Sequence, residues 1–259
     1  MRLATFNLLH GRSLSDGKVH ADRVAAAVAD LDADVLGLQE VDRAQPRSGL
    51  LDLTAIAADA LGAPVHRFAA AVVGTPGETW QPWRSADDNA HPLYGIALIS
   101  RWPVLRWQIT PLPAAPIRSP VWAPGGGLLL LKDEPRVLIA AVIDTPTGPM
   151  TVANTHLSFV PGWNIRQLRA ATRALRDLPA PRILLGDLNL PATPVRACTG
   201  WRTLARRPTY PSAAPRAQLD HILADPRGAG PLGPVVQIRT PAVGISDHRP
   251  LVVHLNPPG

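Results

Sequence analysis

The sequence predicts an α/β protein built from mixed sheets with helices packed outside them. Three observations lead there. Short apolar runs with strand character outnumber helical periods; some of these runs are joined by tight turns and others by helices; and 46% of the 259 residues are hydrophobic, enough for a sizeable core and against disorder. That mixture of connections disfavours a simple doubly wound parallel sheet.

Along the chain, Leu3 to Leu8 reads as a strand and Arg23 to Leu31 as a helix with Val24, Val28 and Leu31 on one face. Val35 to Gln39 is a short apolar strand that ends at Glu40. Leu51 to Leu61 is a helix closed by Gly62. Ile96 to Ser100 is a strand, and the Pro- and Gly-rich stretch Pro111 to Gly127 reads as a loop. Arg136 to Asp144 and Met150 to His156 form two strands around a turn at Pro146-Thr147-Gly148. Asn164 to Leu178 is a helix that buries Ile165, Leu168, Thr172 and Leu175. Arg182 to Leu185 is a strand entering Gly186-Asp187. Later strands are Leu219 to Leu223, Val235 to Ile238 and Leu251 to Leu255. There is no internal repeat. The Pro-rich stretches flank elements too short to make separate cores, so residues 1–259 are expected to form a single domain.

The net charge of +6 draws a protein towards anions such as nucleic acids, phospholipid headgroups and phosphorylated small molecules. Only Lys18 and Lys132 are lysines. Arg, Ala and Pro are abundant together, as a global compositional bias would make them, and no dense basic run exists, so the charge carries little weight for DNA binding. Cys198 is the only cysteine, which excludes an intrachain disulfide and a cysteine-based metal site and leaves a small buried or partly buried thiol. Met1 to Asn7 is too short an apolar run for a signal peptide, and no stretch approaches membrane-spanning length; a soluble cytoplasmic protein with no obligate protein partner is the expectation.

Glu40, Asp187 and Asp247 share a position at the ends of apolar strands, where polar groups converge on one edge of a sheet. Carboxylates suit hard cations such as Mg²⁺, and no Cys or His cluster has zinc spacing. Asp187-Leu188-Asn189 puts two polar groups on one side of an extended exit, an Asp able to take a proton from water and an Asn able to orient it. The same tripeptide before Pro191 also reads as an ordinary turn. Ser246-Asp247-His248 sets an imidazole beside a carboxylate, with Asp220 the natural group to orient the ring. Asn7 and His156 are polar residues on strands that read as buried and need partners there. Each of these residues alone is better explained as structural.

Together the segments resemble the endonuclease/exonuclease/phosphatase superfamily of DNase I-like proteins. They run in the family order: Thr5-Phe6-Asn7, Leu38-Gln39-Glu40-Val41-Asp42, Leu98-Ile99-Ser100-Arg101, Asn154-Thr155-His156-Leu157, Gly186-Asp187-Leu188-Asn189, Leu219-Asp220-His221-Ile222-Leu223 and Ser246-Asp247-His248-Arg249-Pro250. The resemblance implies a four-layer α-β-β-α sandwich of two packed mixed sheets and a divalent-metal-dependent phosphoester hydrolase using Mg²⁺ or Mn²⁺. It implies that Glu40 is the principal metal ligand, with Asn7 and Asp247 in support. Asp187 would position or deprotonate the attacking water, Asn189 orient phosphate and nucleophile, His248 with Asp220 act as electrophile or acid–base, and His156 contact phosphate.

Leu9 stands where some repair nucleases of the family carry an extra acidic ligand, which argues mildly against the abasic-site branch. Asn7-Leu8-Leu9-His10-Gly11-Arg12 and Thr209-Tyr210-Pro211 are instead similar to a bacterial subgroup of uncertain substrate. Arg43, Arg47 and Arg136 resemble arginines of that subgroup, with surface or structural ion pairs an equal alternative. For the substrate, a nucleic-acid phosphodiester is favoured. Trp80, Trp83, Trp122 and Trp163 fall in expected loops where bases could stack, or where the rings could rest at a lipid interface or simply pack the loops. A phospholipid or small-molecule phosphoesterase is the second reading. A binding module that has lost catalysis is the third, disfavoured by the full set of site positions.

Overall fold

The computed structural model describes residues 1–84, 92–122, 127–228 and 232–257. In chain order the elements are β1 (Arg2–Asn7), α1 (Ala21–Ala29), β2 (Val35–Arg43), α2 (Leu53–Leu61), β3 (Val65–Gly74), β4 (Trp80–Pro82), β5 (Leu93–Ser100), β6 (Val104–Leu112), β7 (Arg118–Trp122) and β8 (Leu128–Lys132). They continue with β9 (Arg136–Thr145), β10 (Gly148–His156), α3 (Trp163–Ala174), β11 (Arg182–Asp187), α4 (Ala192–Thr199), β12 (Arg202–Thr203), β13 (Asp220–Ala224), β14 (Val235–Arg239) and β15 (Leu251–Leu255).

Two mixed sheets result, in the orders β14-β15-β1-β2-β5-β3-β4 and β12-β13-β11-β10-β9-β6. Their facing sides are apolar: Leu3, Val35, Leu98 and Leu251 of the first meet Ile139, Val152, Leu185 and Ile222 of the second. The outer side of the first sheet is covered by α1 and α2 through Val24, Val28, Leu53 and Leu61. The outer side of the second is covered by α3 and α4 through Leu168, Ala171 and Val195. This is the α-β-β-α sandwich, a DNase I-like fold.

A buried polar staple holds the two sheets in register. Asn154 of β10 reaches across the interface and donates to the carbonyls of Leu38 on β2 and Ala97 on β5, both at 2.8 Å. It accepts from Gln39 Nε2 at 2.6 Å, and Gln39 in turn donates to Thr5 Oγ1 at 3.0 Å. Gly37 makes the space, because a Cβ there would stand 2.8 Å from Asn154 Cγ.

The local chemistry explains the helices. The Asp52 side chain caps α2 by accepting from the amides of Thr54 and Ala55, both at 3.0 Å, and Gly62 ends it at φ 60°. The structure corrects four expectations. Pro111 and Leu112 finish β6, and Arg118–Trp122 pairs with Leu128–Lys132, so much of the expected 111–127 loop is strand; residues 123–126 lie outside the described part. The third helix ends at Ala174, four residues early. Strand β2 does not stop at Gln39 but runs on to Arg43 through a bulge. Of the expected loop tryptophans, Trp80 is in β4, Trp122 ends β7 and Trp163 opens α3, while Trp83 follows β4 outside any element.

Asn154→Ala takes the Asn154 donor from two buried carbonyls, while Gln39 Nε2 keeps Thr5 Oγ1 and Gly37 O as acceptors. At about 1–3 kcal/mol for each unsatisfied group, it is expected to lower stability by at least roughly 2 kcal/mol in urea unfolding. Loss of less than about 1 kcal/mol would show that the staple is not what registers the sheets.

Candidate active site

The edge of the sandwich where β1, β10 and β11 end, β13 begins and β2 bulges at Glu40 carries an open pocket of about 550 Å³. Glu40, His156, Asp187, Asn189, Asp247 and His248 line it, and Asn7 and Asp220 are buried behind them. The eight residues singled out in the sequence thus come together, from both sheets.

Backbone strain aims several of them. Glu40 sits in the β2 bulge at φ 52°, Asn189 at φ 48° and Ser246, just before Asp247, at φ 66°. Non-glycine residues rarely adopt such values, and functional sites are where they collect. Gly186 at φ 144° lies so close to Thr155 O that no side chain would fit, which lets β11 and β10 run side by side up to Asp187 and His156. The Ser246 hydroxyl donates to Asn7 O at 2.6 Å and accepts from His248 N at 3.1 Å, fixing the Asp247–His248 turn onto β1.

The Asn7 amide links the sheets at the pocket floor. Its Nδ2 donates to Glu40 Oε1 at 2.9 Å and to Asp187 Oδ2 at 3.0 Å, while its Oδ1 accepts from Leu9 N at 3.0 Å. In this orientation the nitrogen, not the oxygen, faces the carboxylates. Burial raises the Glu40 carboxyl to about 7, with Asp247 and Asp187 adding repulsion against the Asn7 hydrogen bond. Burial and Asp220 likewise raise Asp187 to about 6. Asp247 Oδ1 is buried with no hydrogen-bond partner among the described residues.

The two histidines differ in charge. His248 Nδ1 lies 2.9 Å from Asp220 Oδ2, and its Nε2 lies 3.7 Å from Asp187 Oδ2. Burial opposes its charge, but Asp220, Asp187 and Asp247 outweigh that and lift it to about 10, so His248 is an imidazolium. Burial, Arg136 and His248 push His156 well below its usual range, so it is neutral. Arg136 Nη1 lies 3.1 Å from His156 Nδ1. A guanidinium only donates, so Nδ1 accepts and the proton of the neutral ring is on Nε2. His156 Nε2 lies 3.7 Å from Asp187 Oδ2 and 3.3 Å from Asn189 Nδ2; with both nitrogens donors the latter is not a hydrogen bond, and Asn189 Nδ2 donates instead to Leu157 O at 2.9 Å.

Hard oxygen donors in excess of cationic partners suit a divalent cation. Glu40 and Asp247, with the orphaned Asp247 oxygen, fit one on their side of the pocket. Asp187, Asp220 and His248 also bring ligand-type atoms within 4.8 Å of one another. In that trio Asp220 Oδ2 already engages His248 Nδ1 at 2.9 Å, which leaves Nε2 as the ring's free ligand-type atom.

The sequence marked other pocket residues only weakly or not at all. Arg47 and Arg136 line the pocket, whereas Arg43 lies outside it, 3.5 Å from Asp52. Arg47 is held bidentate by buried Asp42 at 2.7 and 2.8 Å. Tyr210 lies against His248 with ring centroids 4.9 Å apart. Tyr94, Glu134 and Phe159 also line the pocket and belong to no motif read from the sequence.

Mutual repulsion among these carboxylates gives a signed expectation. Glu40→Gln is expected to raise the melting temperature of the metal-free protein. It is also expected to remove the further rise that Mg²⁺ or Mn²⁺ produces in the wild type, where a cation at a hundred times its Kd contributes about 2.7 kcal/mol. Differential scanning fluorimetry with and without EDTA measures both; an unchanged metal response in the variant would place the cation elsewhere.

Residues 4–248 match the model of the Endonuclease/Exonuclease/phosphatase family. No curated protein matches the chain. Solved structures share the fold. An endonuclease/exonuclease/phosphatase from Beutenbergia cavernae DSM 12333 is 24% identical with a TM-score of 0.73, over 98% of this chain and 70% of that one. A mannosyl-6-phosphatase from Bacteroides thetaiotaomicron VPI-5482 is 18% identical with a TM-score of 0.60, over 99% of both chains. Sphingomyelinase C from Streptomyces griseocarneus is 18% identical with a TM-score of 0.58, over 99% of both chains. The chain belongs to the endonuclease/exonuclease/phosphatase family and is, with it, a metal-dependent hydrolase of phosphoester bonds.

Proposed function

We propose that the protein is a phosphodiesterase acting on nucleic acid, by in-line attack of a water that Asp187 deprotonates. The observation that carries the mechanism is the setting of Asp187. It is a buried carboxylate with a raised pKa, within 3.7 Å of the outer nitrogens of both His156 and His248. A base of pKa about 6 is well matched to take a proton near neutral pH.

The remaining roles follow from charge and hydrogen count. His156 Nε2–H and the Asn189 amide offer neutral donors to non-bridging phosphate oxygens. His248, kept cationic by Asp220, stabilises the developing charge and can return a proton to the leaving oxygen. The water oxygen bonds to phosphorus as the ester P–O bond breaks; Asp187 takes one proton, and the leaving oxygen is protonated by His248 or solvent. Glu40 and Asp247 would hold a divalent cation, Mg²⁺ or Mn²⁺, with Asn7 keeping Glu40 in place. That cation supplies Lewis-acid stabilisation of negative charge on phosphate oxygens.

Arg47 and Arg136 in the pocket and the chain's net charge of +6 support an anionic polymer as substrate. A compact phosphorylated small molecule or lipid headgroup is the second reading. It is favoured by the pocket's modest size and by the mannosyl-6-phosphatase and sphingomyelinase C that share the fold.

A panel of single- and double-stranded DNA, RNA, sphingomyelin, phosphatidylcholine and sugar phosphates, each with and without EDTA, separates these readings. DNA or RNA cleavage abolished by EDTA, and lowered roughly 10²- to 10⁴-fold by Asp187→Asn, is expected. Hydrolysis confined to lipid or sugar phosphates would overturn the nucleic-acid assignment, and inactivity on every ester would point to a binding module. The sign of the pH dependence is fixed by Asp187: its protonated form cannot accept the water's proton, so kcat/KM is expected to fall as pH drops through about 6. Over roughly pH 5 to 8, His156 is expected to keep the ¹⁵N signature of a neutral ring protonated at Nε2. A titrating His156 would contradict its role as a neutral donor.

A further inference from the structure

The charge of this chain is unevenly placed. From residue 161 to 207, the stretch containing α3 and α4, the acidic residues are Asp177 and Asp187 alone, against a run of arginines. From residue 14 to 62, the stretch containing α1 and α2, acidic residues outnumber basic ones. A compositional bias towards Arg would enrich both outer layers alike, so it does not account for this segregation.

The pairing of the arginines differs in the same way. Beside α1 and α2, Arg2, Arg23, Arg43, Arg47 and Arg101 each have an aspartate partner. On the other flank Arg166, Arg169 and Arg173 of α3, Arg196 of α4 and Arg206 beyond it are exposed. None of these five is in an ion pair among the described residues. The buried face of α3 is Asn164, Gln167, Leu168, Ala171 and Thr172. At about 100° per residue, Arg166, Arg169 and Arg173 fall within roughly 60° of one another on the opposite face. Unpaired like charges three and four residues apart repel, which a helix tolerates better when an anion lies along them.

The first turn of α3, from its buried face, touches a residue of the catalytic pocket. Asn164, in the first turn of α3, donates to Asn189 O at 3.0 Å, and α4 begins three residues after Asn189. Phe159, on the pocket wall, is 36% exposed and precedes α3 by four residues. Trp163 is tied to Pro113 O at 2.8 Å and lies under the Arg166 guanidinium at 4.7 Å, which fixes the first arginine at the N-terminal end of α3. Beyond it, a groove of about 710 Å³ between α3 and the Leu112–Pro116 segment is lined by all three α3 arginines. From Arg166 to Arg173 the helix rises about 10 Å, or about three phosphates of one strand at roughly 3.4 Å each.

We infer that the α3 flank is a docking track for a nucleic-acid backbone, along which a strand whose reactive phosphate is in the pocket continues over Arg166, Arg169 and Arg173. This rests on the nucleic-acid reading of the pocket. A groove favours a strand over a bilayer, which needs a flat or convex apolar rim. The contacts are to phosphate, so the track adds affinity without base preference.

The test uses the full chain and its R166Q/R169Q/R173Q variant, whose changes lie on the solvent face; thermal melting checks that the fold is kept. Binding of a fluorescent 30-nucleotide DNA is measured in EDTA across a salt series, beside hydrolysis of bis-p-nitrophenyl phosphate with metal. The variant is expected to bind DNA at least tenfold more weakly, with a salt slope lower by about 2 to 3. It is expected to hydrolyse the small diester like the wild type. R23Q/R43Q/R101Q, on the acidic flank, is expected to leave DNA binding unchanged. A wild type that cleaves DNA while the α3 variant binds it equally well, with the same slope, would overturn the track and spare the pocket reading. A wild type that binds DNA through these arginines and cleaves none would uphold the track and overturn the pocket reading. Loss in the variant of binding to phosphatidylserine vesicles, with no DNA binding by the wild type, would make the flank a membrane contact and overturn the nucleic-acid assignment.

Discussion

Two buried asparagine amides set the geometry on which everything else depends. A site built from the edges of two separate sheets works only if the sheets cannot slide. Asn154 prevents sliding by donating to backbone carbonyls of two strands in the opposite sheet. Apolar contact between the inner faces is strong but non-directional, and a core that includes Leu185 and Val35 would tolerate a small shift. A hydrogen bond in a dry interface would not, because its loss leaves donors and acceptors unpaired. Asn7 repeats the device at the pocket floor, where one amide nitrogen serves Glu40 of one sheet and Asp187 of the other.

The site built on that floor is organised by opposed charges. Burial first, and then the crowding of carboxylates from β2, β11, β13 and the 246–248 turn, raise the pKa values of Glu40 and Asp187. The same negative field, with Asp220 behind the ring, keeps His248 cationic. His156, only 3.7 Å from the same Asp187 oxygen, is kept neutral because burial and the Arg136 guanidinium outweigh that attraction. One carboxylate therefore stands between a neutral donor and a charged one, a division of labour suited to a reaction that moves protons while negative charge builds on phosphate.

Much of the fold and the pocket could be read from the chain. The α2 helix carries its own stop signals in Asp52 and Gly62, and the Ile183 to Leu185 run points plainly to the Asp187 exit. Strand β3 was hidden because VHRFAAAVVG lacks clean alternation, its residues being half-buried between β5 and β4. Strand β6 mixes Arg106, Trp107 and Gln108 at the sheet edge, and β7 is rich in loop-type residues although it pairs regularly with β8. Helix α4 is short and contains Pro194, so its period is faint. Among the described residues no helix is long and apolar enough to cross a membrane, as the absence of long apolar runs leads one to expect.

The sequence by itself determined the ordered set of polar residues around strand exits, because side-chain chemistry and strand-end position are local properties. It also carried the family resemblance, since those motifs recur in one order along the chain. Only the tertiary structure decided which nitrogen of His156 holds the proton, which face of Asn7 meets the carboxylates, that Glu40 is aimed by a bulge inside a continuing strand, and that Arg43 stands apart while Arg47 and Arg136 enter the pocket. It alone revealed that the five exposed arginines of the α3 and α4 flank are in no ion pair among the described residues, while those beside α1 and α2 have aspartate partners. Each of these depends on contacts between residues far apart in the chain, and on the local electrostatic field those contacts create.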